Sequence, residues 1–120
     1  MSIESDFRAL LVGHSPLAAL VGTRVALNVV PEESVPPLVV FAATHDRVLG
    51  LDNTLHSDQC AIEVQCWGDT ATTADAVADA VIGALATAPA DAGAVCLGRS
   101  TTFDPDLGLD AVVLTVEWWA

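Results

Sequence analysis

The sequence predicts an α+β fold: a mostly antiparallel sheet of about five strands, with an N-terminal helix and one central helix packed on it, in the order α-β-β-β-α-β-β. Three observations predict it. Residues 59–67 alternate between two faces at the period of a strand. From residue 74 the apolar spacing switches to that of a helix. The other apolar runs are short and separated by Pro, Gly, Asn and Asp clusters, the pattern of strands and turns.

The central stretch organises the rest. In Gln59-Cys60-Ala61-Ile62-Glu63-Val64-Gln65-Cys66-Trp67, the side chains of Cys60, Ile62, Val64 and Cys66 face one way. Ala61, Glu63, Gln65 and Trp67 face the other. Gly68-Asp69-Thr70 breaks the strand, and either Asp69 or Thr70 can cap the next helix. Ala74, Val77, Ala78, Val81, Ile82, Leu85 and Ala86 form a narrow, alanine-rich stripe able to lie close on a sheet, with Asp75, Asp79 and Gly83 off it. Which strand face meets this stripe is left open by the sequence.

The remaining elements come in chain order. Ser2 can cap a helix over residues 3–12, with Glu4 and Asp6 near its positive end. Ile3, Phe7, Leu10 and Leu11 make its apolar stripe, and Gly13 and Pro16 stop it. Residues 16–21 form one or two helical turns closed by Gly22. Residues 23–30 are β-prone, with Val25, Leu27 and Val29 on one face. Pro31, Pro36 and Pro37 make residues 31–37 a connector, because proline donates nothing to a ladder. Residues 38–45 are almost continuously apolar, which predicts a strand covered on both faces. Residues 46–58 mix turn formers with Leu49, Leu51 and Leu55. They form either a loop that folds its leucines onto the core or a projecting hairpin arm that offers them to a partner. Residues 89–93 end the central helix. Residues 94–102 form a strand with Val95 and Leu97 on one face and Cys96 on the other. Phe103-Asp104-Pro105-Asp106-Leu107-Gly108 is a tight connection. The last strand, 109–119, has Val112, Leu114, Val116 and Trp118 as its inner face, with Asp110, Thr115, Glu117 and Trp119 opposite.

At 120 residues the chain is the length of one domain. Sixteen acids against four arginines and no lysine give a net charge of −12, which opposes binding to nucleic-acid phosphates and anionic membranes. No apolar run approaches the ~20 residues of a membrane span. The acidic start Ser2-Ile3-Glu4-Ser5-Asp6 lacks the basic-then-apolar order of a signal peptide. Cys60 and Cys66 share a strand face but lie roughly 20 Å apart, so they cannot pair with each other. An odd cysteine count without an export signal points to reduced, core-packed thiols.

The motifs of chemistry are missing. No Cys-x-x-Cys or His-x-x-x-His spacing suggests zinc, and His14, His45 and His56 stand beside no nucleophile motif. No glycine-rich phosphate loop or dinucleotide fingerprint is found. Asp104 and Asp106 lack the further ligands of a calcium loop. The expectation is no catalytic residue, no metal and no cofactor. The tryptophans are informative instead. Trp118 and Trp119 are adjacent on a strand and point to opposite faces, so one of them needs cover from the folded-over terminus or from a neighbouring subunit. Trp67 lies on the face opposite Cys60, Ile62 and Val64. The candidate interface residues are therefore Trp67 and Trp119, with Arg47, Leu49, Leu51 and Leu55 of the 46–58 segment.

Several of these pieces occur in one order: an N-terminal helix leading into Leu20-Val21-Gly22-Thr23-Arg24-Val25; a proline-marked connector to Pro37-Leu38-Val39-Val40-Phe41; the strand Ala61-Ile62-Glu63-Val64-Gln65-Cys66-Trp67 with its alanine-rich helix; and Phe103-Asp104-Pro105-Asp106-Leu107-Gly108-Leu109 before a strand ending Val116-Glu117-Trp118-Trp119. In that order and spacing, over nearly its whole length, the chain resembles the tail-completion, or tail-terminator, proteins of long-tailed bacteriophages and related gene-transfer particles. Leu109 and Asp110 stand where the family usually has an aromatic residue after the glycine. The resemblance implies a structural virion protein, not an enzyme, assembled in the host cytoplasm at the head-proximal end of the tail. It implies a homohexameric ring that caps the tail tube, stops its elongation and presents a surface to the head-side connector protein. DNA would pass through the lumen without specific binding, and no membrane is involved. A head-tail adaptor, a minor tail subunit and, from another class, an acidic DNA-mimic inhibitor of a host protein are the competing readings.

Overall fold

The computed structural model describes residues 3–27, 35–49, 55–88, 94–106 and 108–119; at residues 3, 45–49, 55–59 and 119 it describes the backbone alone. Among the described residues three helices, α1 (Ile3–Val12), α2 (Ser15–Val21) and α3 (Ala71–Leu85), accompany five strands, β1 (Val25–Leu27), β2 (Leu38–Leu49), β3 (Leu55–Gly68), β4 (Val95–Asp104) and β5 (Leu109–Trp119). The strands make one sheet in the order β1-β2-β3-β5-β4. The β1–β2 pair is parallel and every other pair is antiparallel. The predicted α+β class, with a mostly antiparallel sheet, is the observed one.

All three helices lie on one face. That face is built from Val39 and Phe41 of β2, Cys60, Ile62, Val64 and Cys66 of β3, and Val112, Leu114, Val116 and Trp118 of β5, which join the helical side chains in one core. The inner-face reading of β3 and β5 therefore matches the structure, with one correction: Asp110, expected on the opposite face, has the parity of Val112 and lines a recess with Ala74 and Asp75 of α3. Phe7 of α1 is fully buried and meets Phe41 at 5.1 Å and Trp118 at 5.7 Å, both edge to face, the geometry preferred by ring quadrupoles. From α3 the buried side chains are Ala74, Val77, Ala78, Val81, Ala84 and Leu85. Two members of the predicted stripe fall off it: Ile82 is only half-buried and Ala86 is exposed, while Ala84 enters the core. The helix ends at Leu85, so Ala86 stands past its last turn.

The joints are specific. The capping residue of α3 is Thr70, whose hydroxyl accepts from the Thr73 amide at 3.1 Å and satisfies one of the open donors of the first turn. Gly68 makes the strand-to-helix turn possible, because a Cβ there would fall 2.7 Å from the Ala74 nitrogen. Arg8 Nε donates to the Val25 carbonyl at 3.1 Å and ties α1 to β1. Arg24 Nε donates to the Pro37 carbonyl at 2.9 Å and its Nη2 to the Leu20 carbonyl at 3.3 Å, so one guanidinium joins the end of α2 to the entry of β2.

Three boundaries differ from expectation. Of the predicted strand 23–30, the described part is Val25–Leu27; residues 28–34 lie outside the described residues. The strand expected at 38–45 runs on to Leu49, and the next begins at Leu55, so the two strands form a long hairpin. β4 extends through Phe103 to Asp104, and the turn is confined to the residues after Asp104. There the Asp106 amide donates to Asp104 Oδ1 at 2.9 Å and the Gly108 amide to the Asp104 carbonyl at 2.8 Å. Within β4 the register shifts between Cys96 and Gly98. This bulge interrupts the expected alternation and leaves Leu97 without a partner on β5.

Candidate assembly surface

Among the described residues no helix lies on the second face of the sheet. At one end Leu38 and Val40 of β2, Trp67 of β3 and Ala111 of β5 form a small cluster of their own, with Leu109 against it. The near-continuous apolar run at the start of β2 is explained by this, since Leu38 and Val40 serve one face while Val39 and Phe41 serve the other. Trp67 lies on the outward face, as its position in the strand requires, and its own chain covers it to 9% exposure. Its indole Nε1 donates to Gln65 Oε1 at 3.2 Å, and Gln65 Nε2 donates to Glu63 Oε1 at 3.2 Å. These alternate residues form a polar row down the open face. Around them Ala42, Thr44, Ala61, Glu63 and Thr115 are exposed and Val113 is half-buried.

The hairpin of β2 and β3 outgrows the sheet. β5 reaches its last pairing with β3 at Gln59↔Trp119. Beyond it β2 and β3 continue to pair through Arg47↔Asp58, Val48↔Ser57 and Leu49↔Leu55. This ribbon is roughly 10 Å long at ~3.4 Å per residue. The backbones of Arg47, Leu49 and Leu55 thus lie together on the arm that the sequence offered as one of two alternatives. Their side chains, all of Leu51, and the Trp119 side chain lie outside the described residues. Trp118, the neighbour of Trp119, is core.

A third surface was not anticipated. The exposed large hydrophobic side chains among the described residues are Leu27, Val35, Val95, Leu97 and Phe103. Leu27 is on β1 and Val35 precedes β2; the other three belong to β4. They therefore flank the two opposite edges of the sheet. A sequence signal existed for the β4 group: residues 92–103 contain no acid in a chain that has sixteen.

The Arg99 guanidinium on β4 bridges two carboxylates of α3, Asp79 at 2.8 Å and Asp75 at 3.1 Å. Its hydrogen bond to Asp79, and then that to Asp75, raises its pKa above the ordinary arginine value. Burial pushes the Cys66 thiol up to about 12, because a thiolate there would be stripped of water. None of Cys60, Cys66 and Cys96 is in a disulfide. Among the described residues no group of three His, Cys, Asp or Glu side chains is placed to hold a metal ion, and no helix is long and apolar enough to cross a membrane. An open recess of about 440 Å³ is lined by Ala9, Leu10, Gly13, His14, Ser15, Pro16 and Thr87; the Thr87 hydroxyl there donates to the Ala84 carbonyl at 2.7 Å.

Among the described residues the molecule thus has a sheet face without a helix, two edges with exposed apolar side chains and a β2–β3 ribbon that extends past β5. The family described as tail completion protein gp17 matches residues 5–120. A chain of the solved structure "Virion of native gene transfer agent (GTA) particle" has the same fold, with a TM-score of 0.77 and 22% identity over 98% of this chain and 93% of that one. Comparison with curated proteins finds no match. This chain belongs to the tail completion protein gp17 family. It is a structural protein of the virion tail.

Proposed function

We propose that this protein forms a ring, of homohexameric type, at the head-proximal end of the tail. The ring caps the tail tube, stops its elongation and supplies the surface on which the head-side connector docks. The observation that carries this reading is the family match over residues 5–120. The β2–β3 ribbon supports it physically. A two-stranded ribbon with no third strand is marginal in water, and a neighbouring subunit or the tube beneath would cover it. Closed rings need two different patches per subunit, and this subunit has several separate ones.

DNA passes through such a ring on its way out of the head. A chain of net charge −12 with no lysine gives a duplex little to hold, and acids facing the lumen would keep the passage slippery. An inhibitor that mimics DNA would need its acids free and aligned, whereas Asp75 and Asp79 are held by Arg99.

The test is to make particles without the protein. A terminator predicts tails of abnormal length that fail to join heads. Heads that leak their DNA beside tails of normal length would instead place the protein in the neck, as an adaptor.

A further inference from the structure

β4 is a ten-residue strand paired to β5 on one side, and it lies at the end of the sheet among the described residues. Every residue of β4 except Cys96 and Asp104 is exposed. In a regular antiparallel ladder, alternate residues point their N–H and C=O groups away from the partner strand. From Arg99 to Asp104 the pairing with β5 is regular, so this half of β4 holds such groups along its outer side. Among the described residues no turn, loop or cap backbone bond engages residues 95–103. The Gly98 carbonyl accepts from the Cys96 thiol at 3.4 Å, and that contact lies in the bulge, short of the regular half. Edge strands in soluble proteins are normally blunted by charge or proline. From Val95 to Phe103 the chain has no acid, lysine or proline, and Arg99 is turned onto α3.

The register sorts the exposed side chains of this edge by face. Arg99, Thr101 and Phe103 stand opposite Leu114, Val112 and Asp110 on the helix side; Ser100 and Thr102 stand opposite Val113 and Ala111 on the other. Phe103 at one end is 55% exposed and Leu97 at the other is 62% exposed. The small hydroxyl side chains between them leave room for a further strand. The surrounding charge is one-sided. Asp75 and Asp79 of α3 keep 54% and 71% of their side chains exposed while bridged to Arg99. Asp110 is half-buried opposite Phe103, and Asp106 is exposed just past the strand end. These acids border a strip of backbone that is itself free of them, with Arg99 as their counterion.

We infer that the β4 edge from Arg99 to Phe103 accepts an extended, basic segment of a different protein as an added strand. Backbone pairing supplies the affinity. An apolar side chain of the segment lies beside Phe103, and a lysine or arginine reaches Asp75 and Asp79. Charge argues for a foreign partner. A copy of this chain has a net charge of −12 and no lysine. Arg8, Arg24 and Arg99 are each bonded within their own subunit, so a second copy brings little to set against these carboxylates. The occupant is thus a cationic, strand-forming stretch of another chain. The site belongs to each subunit whether or not subunits close into a ring.

The test is amide hydrogen exchange in the full-length protein with a short synthetic peptide of alternating valine and lysine. One control peptide carries glutamate in place of lysine; a second carries N-methyl groups on its backbone nitrogens. Saturating basic peptide should slow exchange of alternate amides in residues 99–103 by about tenfold or more, and the effect should fade with rising salt. The glutamate and N-methylated peptides should leave those amides unchanged. In a variant carrying Asp75→Asn and Asp79→Asn, affinity for the basic peptide should fall about fivefold or more, with circular dichroism as in the wild type. No protection in residues 99–103, equal protection by either control peptide, or an unchanged affinity in the double variant would overturn the inference. So would protection of these amides by self-association without any peptide, which would make the occupant a second copy. Native mass, which tests the ring, is read separately, so either reading can fail alone.

Discussion

The two faces of the sheet are made by the same strands and do opposite work. The inner face of β2, β3 and β5 gives ten side chains to a core shared with three helices. The outer face keeps a cluster of Leu38, Val40, Trp67 and Ala111 at one end and leaves exposed small and polar residues over much of the rest. Alternation alone creates the difference, since each successive residue changes sides. The inner face therefore carries most of the burial that folds the chain, and the outer face adds only its small cluster.

That contrast can be broken most severely from within. Phe7→Ala removes the ring that Phe41 and Trp118 both meet, and should cost about 3–5 kcal/mol in urea unfolding. Trp67→Ala probes the other side. Its cluster is thinner and open to solvent at its rim, so about 2 kcal/mol is expected. A loss equal to that of Phe7→Ala would mean that both faces carry the fold.

The inner face should also be sensitive to alkali. Cys66 titrates near 12 in the folded protein and near its ordinary value of about 8.5 when unfolded. Above the unfolded value the unfolded chain releases a proton that the folded chain retains, so stability falls as pH rises. The slope should approach about 1.4 kcal/mol per pH unit between pH ~9 and ~12. Its contribution should vanish in Cys66→Ala, measured by denaturant unfolding at each pH. Arg99→Ala tests the least of these effects. Its ion pairs with Asp75 and Asp79 are exposed, so the change should cost less than about 1 kcal/mol.

The inner face was legible in the sequence because burial and period coincide there. Cys60, Ile62, Val64 and Cys66 share one parity in β3, and Val112, Leu114, Val116 and Trp118 share one in β5; all eight are buried. The stripe of α3 was legible to within one turn, since alanine signals position weakly and Ala84 and Ala86 look alike to a periodicity. The parallel pairing of the three-residue β1 with β2 was not legible, because nothing in so short a run encodes its direction. The edge patch escaped for a different reason. Val95 and Leu97 look like ordinary strand interior until the strand order places β4 at the end of the sheet among the described residues. Trp67 was rightly assigned to the outward face, but the local cover supplied by Leu38, Val40 and Ala111 depends on strand pairing, which residue types do not fix.

The central claim is that copies of this chain close on one another at the end of the tail tube. Native mass of the purified protein, measured with and without tail tubes, tests it most directly. A closed oligomer of fixed copy number, in solution or on the tube end, is the predicted result. A protein that is monomeric in both conditions would contradict it.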